Sequence, residues 1–97
     1  MLIIDAHLDL SWNAIGWNRD LNQSVHEIRQ SEAGITEKAR GKGTVSLPEM
    51  RHGQIGIALA TVLARCNPKG QSSIDFRTQE IACAMAQGQL AYYRLLE

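Results

Sequence analysis

Two runs rich in branched apolar residues, Met1 to Ile4 and Ile55 to Ala64, constrain the fold of this chain more than any other feature of its sequence. Short continuous runs of this kind form strands covered on both faces, the situation of strands in a parallel sheet. The first run passes into Asp5-Ala6-His7-Leu8-Asp9, so a buried strand emerges into a polar end. The second is also long enough for a buried helix, and periodicity alone does not separate the two. Ser24, with Glu27 at the third position after it, predicts a capped helix over Val25 to Ala33 that stops at Gly34. Thr36 to Thr44, which holds Lys38, Arg40 and Lys42 between glycines, reads as an exposed basic loop. Ser46-Leu47-Pro48-Glu49 predicts a second capping box, with Pro in the first turn of a very short helix that ends at Gly53. Cys66-Asn67-Pro68-Lys69-Gly70 is a turn cluster. Ser72 and Asp75 then open the clearest helical pattern, in which Ile74, Ile81, Met85, Tyr92 and Leu96 recur near helical spacing.

Strand, loop with short helices, strand and long helix is the order of β/α units around a parallel sheet. The expected fold class is therefore α/β, with about two parallel strands and connecting helices. Two such strands cannot close a barrel, and they leave unpaired edges and a bare apolar face. The 97 residues leave room for one small domain or part of a larger one. The last helical pattern runs up to Glu97 without a Gly or Pro to stop it. The expectation is that residues 1–97 are the incomplete N-terminal portion of a longer α/β protein.

Composition removes several classes of partner. Ten basic and ten acidic residues give a formal charge of zero, which leaves no electrostatic footprint for nucleic acid. The longest nearly apolar stretch is about half the length needed to span a bilayer as a helix, so no membrane span is expected. The N-terminus has no basic segment before its apolar residues, and Asp5 interrupts the run, which makes a cytoplasmic location the expected one. Cys66 and Cys83 are too few for a disulfide scaffold and lack close metal-ligand spacing, so both read as reduced thiols.

The chemistry concentrates at the end of the first strand. His7 and Asp9 are separated by one residue, and alternation along an extended backbone carries both side chains, with that of Asp5, to one side. An imidazole nitrogen and a carboxylate oxygen suit Zn²⁺, and C-terminal strand ends are where β/α barrels place their active sites. A hydrogen-bonded structural pair is the competing reading of the same two residues. Asp5 either orients the His7 ring as an acceptor or caps a turn. Trp12 either walls a pocket or packs beneath a loop.

The wider pattern is more specific. Asp5-Ala6-His7-Leu8-Asp9-Leu10-Ser11-Trp12, then Gly43-Thr44-Val45-Ser46-Leu47-Pro48-Glu49-Met50-Arg51, then Gly53-Gln54-Ile55-Gly56, resembles the opening of the membrane (renal) dipeptidase family, zinc peptidases related to the amidohydrolases. The resemblance runs over essentially the whole chain. It implies the N-terminal portion of a (β/α)₈ TIM-like barrel, with a two-zinc centre to which His7 and Asp9 each contribute a metal ligand. It implies a dipeptide as substrate, hydrolysed in the complete enzyme by a metal-bridged hydroxide. The family's other ligands, a bridging Glu and further His residues, have no counterpart in this sequence, and no residue here takes a catalytic role. His26 and His52 match no ligand position and read as exposed structural residues. A barrel of this kind needs roughly 250 residues, so these 97 residues alone are expected to be inactive. The second apolar run also departs from the animal enzymes, ending Thr61-Val62-Leu63-Ala64-Arg65 where they carry aromatics. Arg65 reads either as a partner for a substrate carboxylate or as a structural cation.

Two alternatives accompany this reading. One is another amidohydrolase-like hydrolase that uses the same first-strand ligands, since one fold supports many reactions. The other is a non-catalytic barrel fragment that pairs its sheet edges with other chains, a homo-oligomer among them.

Overall fold

The computed structural model describes all 97 residues, Met1 to Glu97. β1 (Ile3–Leu8) runs directly into a π-helical turn (Trp12–Gly16), and α1 (Val25–Ser31) and α2 (Leu47–His52) follow. β2 (Ile55–Ala60) comes next, then the short strands β3 (Arg65–Cys66) and β4 (Asp75–Phe76), and finally α3 (Gln79–Leu95). β1 pairs with β2 in parallel, and β3 with β4 in parallel, so the α/β class and the parallel pairing of the two apolar runs are both present. No helix is long and apolar enough to cross a membrane.

The β1–β2 register shifts twice. Ile3 pairs with Ile55 and Ile4 with Ile57, so Gly56 is the extra residue on β2; Asp5 pairs with Ala58 and Leu8 with Ala60, so β1 carries an extra residue just before its polar end. Gly56 leaves room beside the first irregularity for the Leu2 side chain, which a Cβ there would have to displace. The second interrupts strict alternation where His7 and Asp9 leave the sheet. Asp5 and Leu8, of opposite parity, line one hollow of about 290 Å³ that also touches Glu49 and Met50 of α2.

The core lies beyond the polar end of β1. Leu10, Ala14, Leu21 and Ile28 form its buried cluster, with Leu8, Val45, Leu47, Met50, Tyr92 and Tyr93 packed around it. The π-helical turn, α1, α2 and the end of α3 thus share one small interior. The sheet contributes little to it: Ile57 is 51% exposed and Leu59 60%. The expected cover on both faces of β2 is therefore absent from this chain, although the strand itself forms. It is also shorter than the apolar run, because after the Thr61 N–H, which still bonds to the Leu8 carbonyl, the backbone is taken by the side chains of Ser11 and of Gln89 and Tyr93 in α3.

Three local expectations change. The Ser24–Glu27 capping box forms as read, the helix closes at Ser31, and Gly34 sits at φ +84° just beyond it. The second box does not form: Ser46 is the N-cap of α2, but its buried hydroxyl makes no cap bond and has no partner. The last helix begins at Gln79, later than the Ser72 pattern suggested, because Thr78 caps the Ile81 N–H while Ser72 to Phe76 are drawn into a turn and the β3–β4 pair. The basic loop is anchored as well. Arg40 bonds to Glu32, Glu37 and the Trp17 carbonyl, whereas Lys38 and Lys42 are exposed.

Candidate functional site

The segment His7-Leu8-Asp9 takes its shape from three local bonds. The Asp5 carboxylate accepts the His7 backbone N–H at 2.9 Å, which is the turn-capping reading of Asp5 and not the ring-orienting one. Leu8 closes the strand by accepting the Thr61 N–H at 3.1 Å. The Asp9 carbonyl then accepts from the Asn13 backbone N–H at 3.0 Å and from Asn13 Nδ2 at 2.9 Å, starting the helical turn. Strand and helix meet within two residues, and the side chains of His7 and Asp9 project from the junction.

They converge. His7 Nε2 lies 3.3 Å from Asp9 Oδ1, with the imidazole exposed and the carboxylate half-buried. The same Oδ1 accepts a short hydrogen bond from the Thr61 hydroxyl, which reaches it from just beyond β2. The Thr61 carbonyl in turn accepts from Ser11 Oγ at 3.1 Å and from the Tyr93 hydroxyl at 2.7 Å. Gln89, buried in α3, accepts the Leu63 N–H at 2.7 Å and donates Nε2 to the Leu63 carbonyl at 2.8 Å; its Oε1 shares the single Ser11 hydroxyl proton with the Thr61 carbonyl. The chain from Thr61 to Leu63 is thus clamped by side chains from two other elements.

None of these supporting residues was singled out from the sequence, yet two of them carried a signal. Thr61 is the one hydroxyl in the run Ile55 to Ala64, and Gln89 interrupts the apolar stripe between Met85 and Tyr92. A polar residue on a core-facing stripe marks a buried polar contact.

The donor set fits a metal in part. Imidazole nitrogen and carboxylate oxygen suit zinc, and the two groups meet at the strand end; however, no group of three or more His, Cys, Asp or Glu residues comes together anywhere in the chain. A catalytic zinc takes about three protein ligands. The chain therefore brings together two potential donors and not three.

The remaining sequence candidates lie elsewhere. His26 and His52 are exposed, on α1 and at the end of α2. The Arg65 guanidinium is paired with Asp75 across β3 and β4, the structural one of its two readings; Arg65 lowers the proton affinity of the Asp75 carboxyl by the same contact, and Gly70 leaves room for that carboxylate. Trp12 stacks edge-on against Trp17 at 5.8 Å between ring centroids, and both border a hollow of about 510 Å³ with Lys38, Ala39 and Ser72. Packing beneath the basic loop accounts for it. Both cysteines are free and exposed.

Comparison of the chain with protein-family models, with curated proteins and with solved structures finds no match in any of the three.

Proposed function

We propose that this chain carries the first-strand ligand pair of a zinc-dependent dipeptidase built on a (β/α)₈ barrel. The observation that supports this reading is the approach of His7 Nε2 to Asp9 Oδ1 at the C-terminal end of a parallel strand, where barrels of this architecture gather their active sites. The parallel β1–β2 pair, joined through helices, supports the barrel.

In this reading His7 offers its Nε2 lone pair from a neutral ring, and Asp9 supplies the negative charge that offsets a dication. Zinc, two ions in the complete enzyme, would supply Lewis acidity toward the peptide carbonyl and toward water. Asp5 keeps the His7 backbone in place, and the bonds from Asn13 to the Asp9 carbonyl hold the junction from which both ligands project. The dipeptide is the substrate by resemblance alone, and Arg65 is paired with Asp75.

A second reading is favoured by a separate observation. The exposed apolar side chains of β2 and the lack of a third ligand suit a barrel piece that assembles with other chains, second copies included. Another amidohydrolase-like activity would use the same pair.

Zinc affinity measured by competition with a chromophoric chelator tests the ligand pair. Asp9→Asn is expected to weaken binding at least tenfold, and unchanged affinity would remove Asp9 from the centre. The 97 residues alone are expected to leave a simple dipeptide intact with zinc added; steady turnover would overturn the view that the site is partial.

A further inference from the structure

We infer that the hollow between β1 and α2 is a binding site for a small primary ammonium ligand with a compact apolar body, its N–H groups taken by Asp5, Glu49 and Ser46. The inference does not depend on the His7–Asp9 pair and needs no metal.

Three observations converge on this hollow. Its volume of about 290 Å³ lies at the lower end of the roughly 300–1,000 Å³ typical of small-molecule sites, and Leu8, Val45, Met50 and Ile55 give it an apolar wall. Its two charged residues are both acids, Asp5 and Glu49, and no basic residue lines it. Neither carboxylate belongs to an ion pair, and the hydrogen bond that Asp5 Oδ1 accepts from the His7 N–H at 2.9 Å is the one bond either side chain makes. Two like charges that share a hollow without a counter-ion favour a cation there. The third observation is independent of charge. Ser46, also in the wall, is 0% exposed, and its hydroxyl has no partner, a state it shares only with Trp12 Nε1. Buried hydroxyls are as a rule hydrogen-bonded, so an orphan in the wall of a hollow is a bond that a ligand completes.

The chemistry of the lining selects the ligand. An ammonium carries three N–H donors and no acceptor, which matches two carboxylates and a hydroxyl. A hydrogen bond between a charged donor and a carboxylate is among the stronger ones a site can offer. The apolar wall then takes the body of the ligand, and the small volume keeps that body short. An anion is repelled by both acids. The N-terminus of α2 opposes a cation with the equivalent of roughly half a charge at most, which two carboxylates outweigh. A quaternary ammonium has no N–H to give and leaves Ser46 unpartnered.

The test titrates the full chain with isopentylammonium and with its neutral counterpart isopentanol, followed by amide shifts in NMR spectra. Isopentylammonium is expected to give saturable shifts centred on Ser46, Glu49 and Met50, with isopentanol bound about tenfold more weakly. Glu49→Gln and Ser46→Ala are each expected to weaken ammonium binding about tenfold, with urea midpoints no lower than that of the parent, since Glu49 is exposed and unpaired and the Ser46 hydroxyl bonds to nothing. Should Glu49→Gln not fold, Asp5→Asn, which keeps an oxygen for the His7 N–H, replaces it as the charge variant; Ser46→Gly likewise replaces Ser46→Ala. Isopentanol bound as tightly as the ammonium overturns the inference, because the apolar wall alone would be at work. Shifts that do not saturate, or that centre elsewhere, overturn it as well. Parent-like binding in Ser46→Ala alongside weakened binding in Glu49→Gln also overturns it, since acidic surface charge would then account for the attraction without a built site.

Discussion

Glu32 is the most heavily bonded carboxylate in the molecule. At 5% exposure it accepts from Arg19 Nε at 2.6 Å and Nη2 at 3.1 Å, from Arg40 Nη1 at 3.3 Å and from the Gly41 N–H. Both guanidiniums also lie over the Trp17 ring. The Arg19 hydrogen bond, against the opposing effect of burial, pulls the Glu32 carboxyl from its ordinary 4.5 down to about 2. A depressed folded-state value means that the unfolded chain binds the proton more readily, so stability is fully present above about 4.5 and is lost as pH falls toward about 2. Urea midpoints measured across that window are expected to fall in the parent, while Glu32→Gln loses this component and starts lower at neutral pH. Removing one member of a buried ion pair costs about 3–5 kcal/mol. Sequence could not announce this cluster, because Arg19, Glu32 and Arg40 are scattered through loops and helix ends without periodicity.

Among elements, the two serine caps make a controlled comparison. Ser24 accepts the Glu27 N–H while Glu27 returns a bond to the Ser24 backbone; Ser46 occupies the same kind of position with its hydroxyl buried and unpartnered. Ser24→Ala is expected to lower stability by about 1 kcal/mol, the usual value of a working cap. Ser46→Ala is expected to be neutral or stabilising, because it removes a buried group that bonds to nothing. Chemical denaturation of the two variants side by side checks both. The motif was equally legible at both places, yet only one formed, since packing had already enclosed Ser46 between α2 and the core. The late start of α3 has the same origin: Asp75 is held by Arg65 in β4 and is not free to serve the first turn of a helix.

For the whole molecule the unequal distribution of its apolar surface matters most. The interior is built where loops and helices meet, while Ile4, Ile57 and Leu59 on the sheet remain 64%, 51% and 60% exposed. A sheet of two strands with bare edges and zero formal charge has neither a cover nor charge repulsion to keep copies apart. Light scattering is expected to show association that grows with concentration, and Ile57→Lys is expected to suppress it without altering the far-UV circular dichroism. A monomeric parent at high concentration would contradict this. The expected parallel pairing of the apolar runs holds; the expected cover of β2 does not, because α2 reaches β2 only in part and Ile57 and Leu59 stay exposed.

From the linear order of residues alone came the α/β class, the pairing of the two apolar runs, the Ser24 cap, and the meeting of His7 with Asp9. The cap and the His7–Asp9 meeting are short-range consequences of spacing, while the class and the pairing follow from the order of the apolar runs and helices along the chain. Only the folded chain decided that Asp5 turns to its own backbone, that Arg65 is spoken for by Asp75, and that Thr61 reaches Asp9 from beyond the second strand. The Asp5 bond is local, but the Arg65–Asp75 and Thr61–Asp9 contacts join residues 10 and 52 positions apart, and which partner a polar side chain finds depends on the register shifts and the packing of α3, which no local pattern encodes.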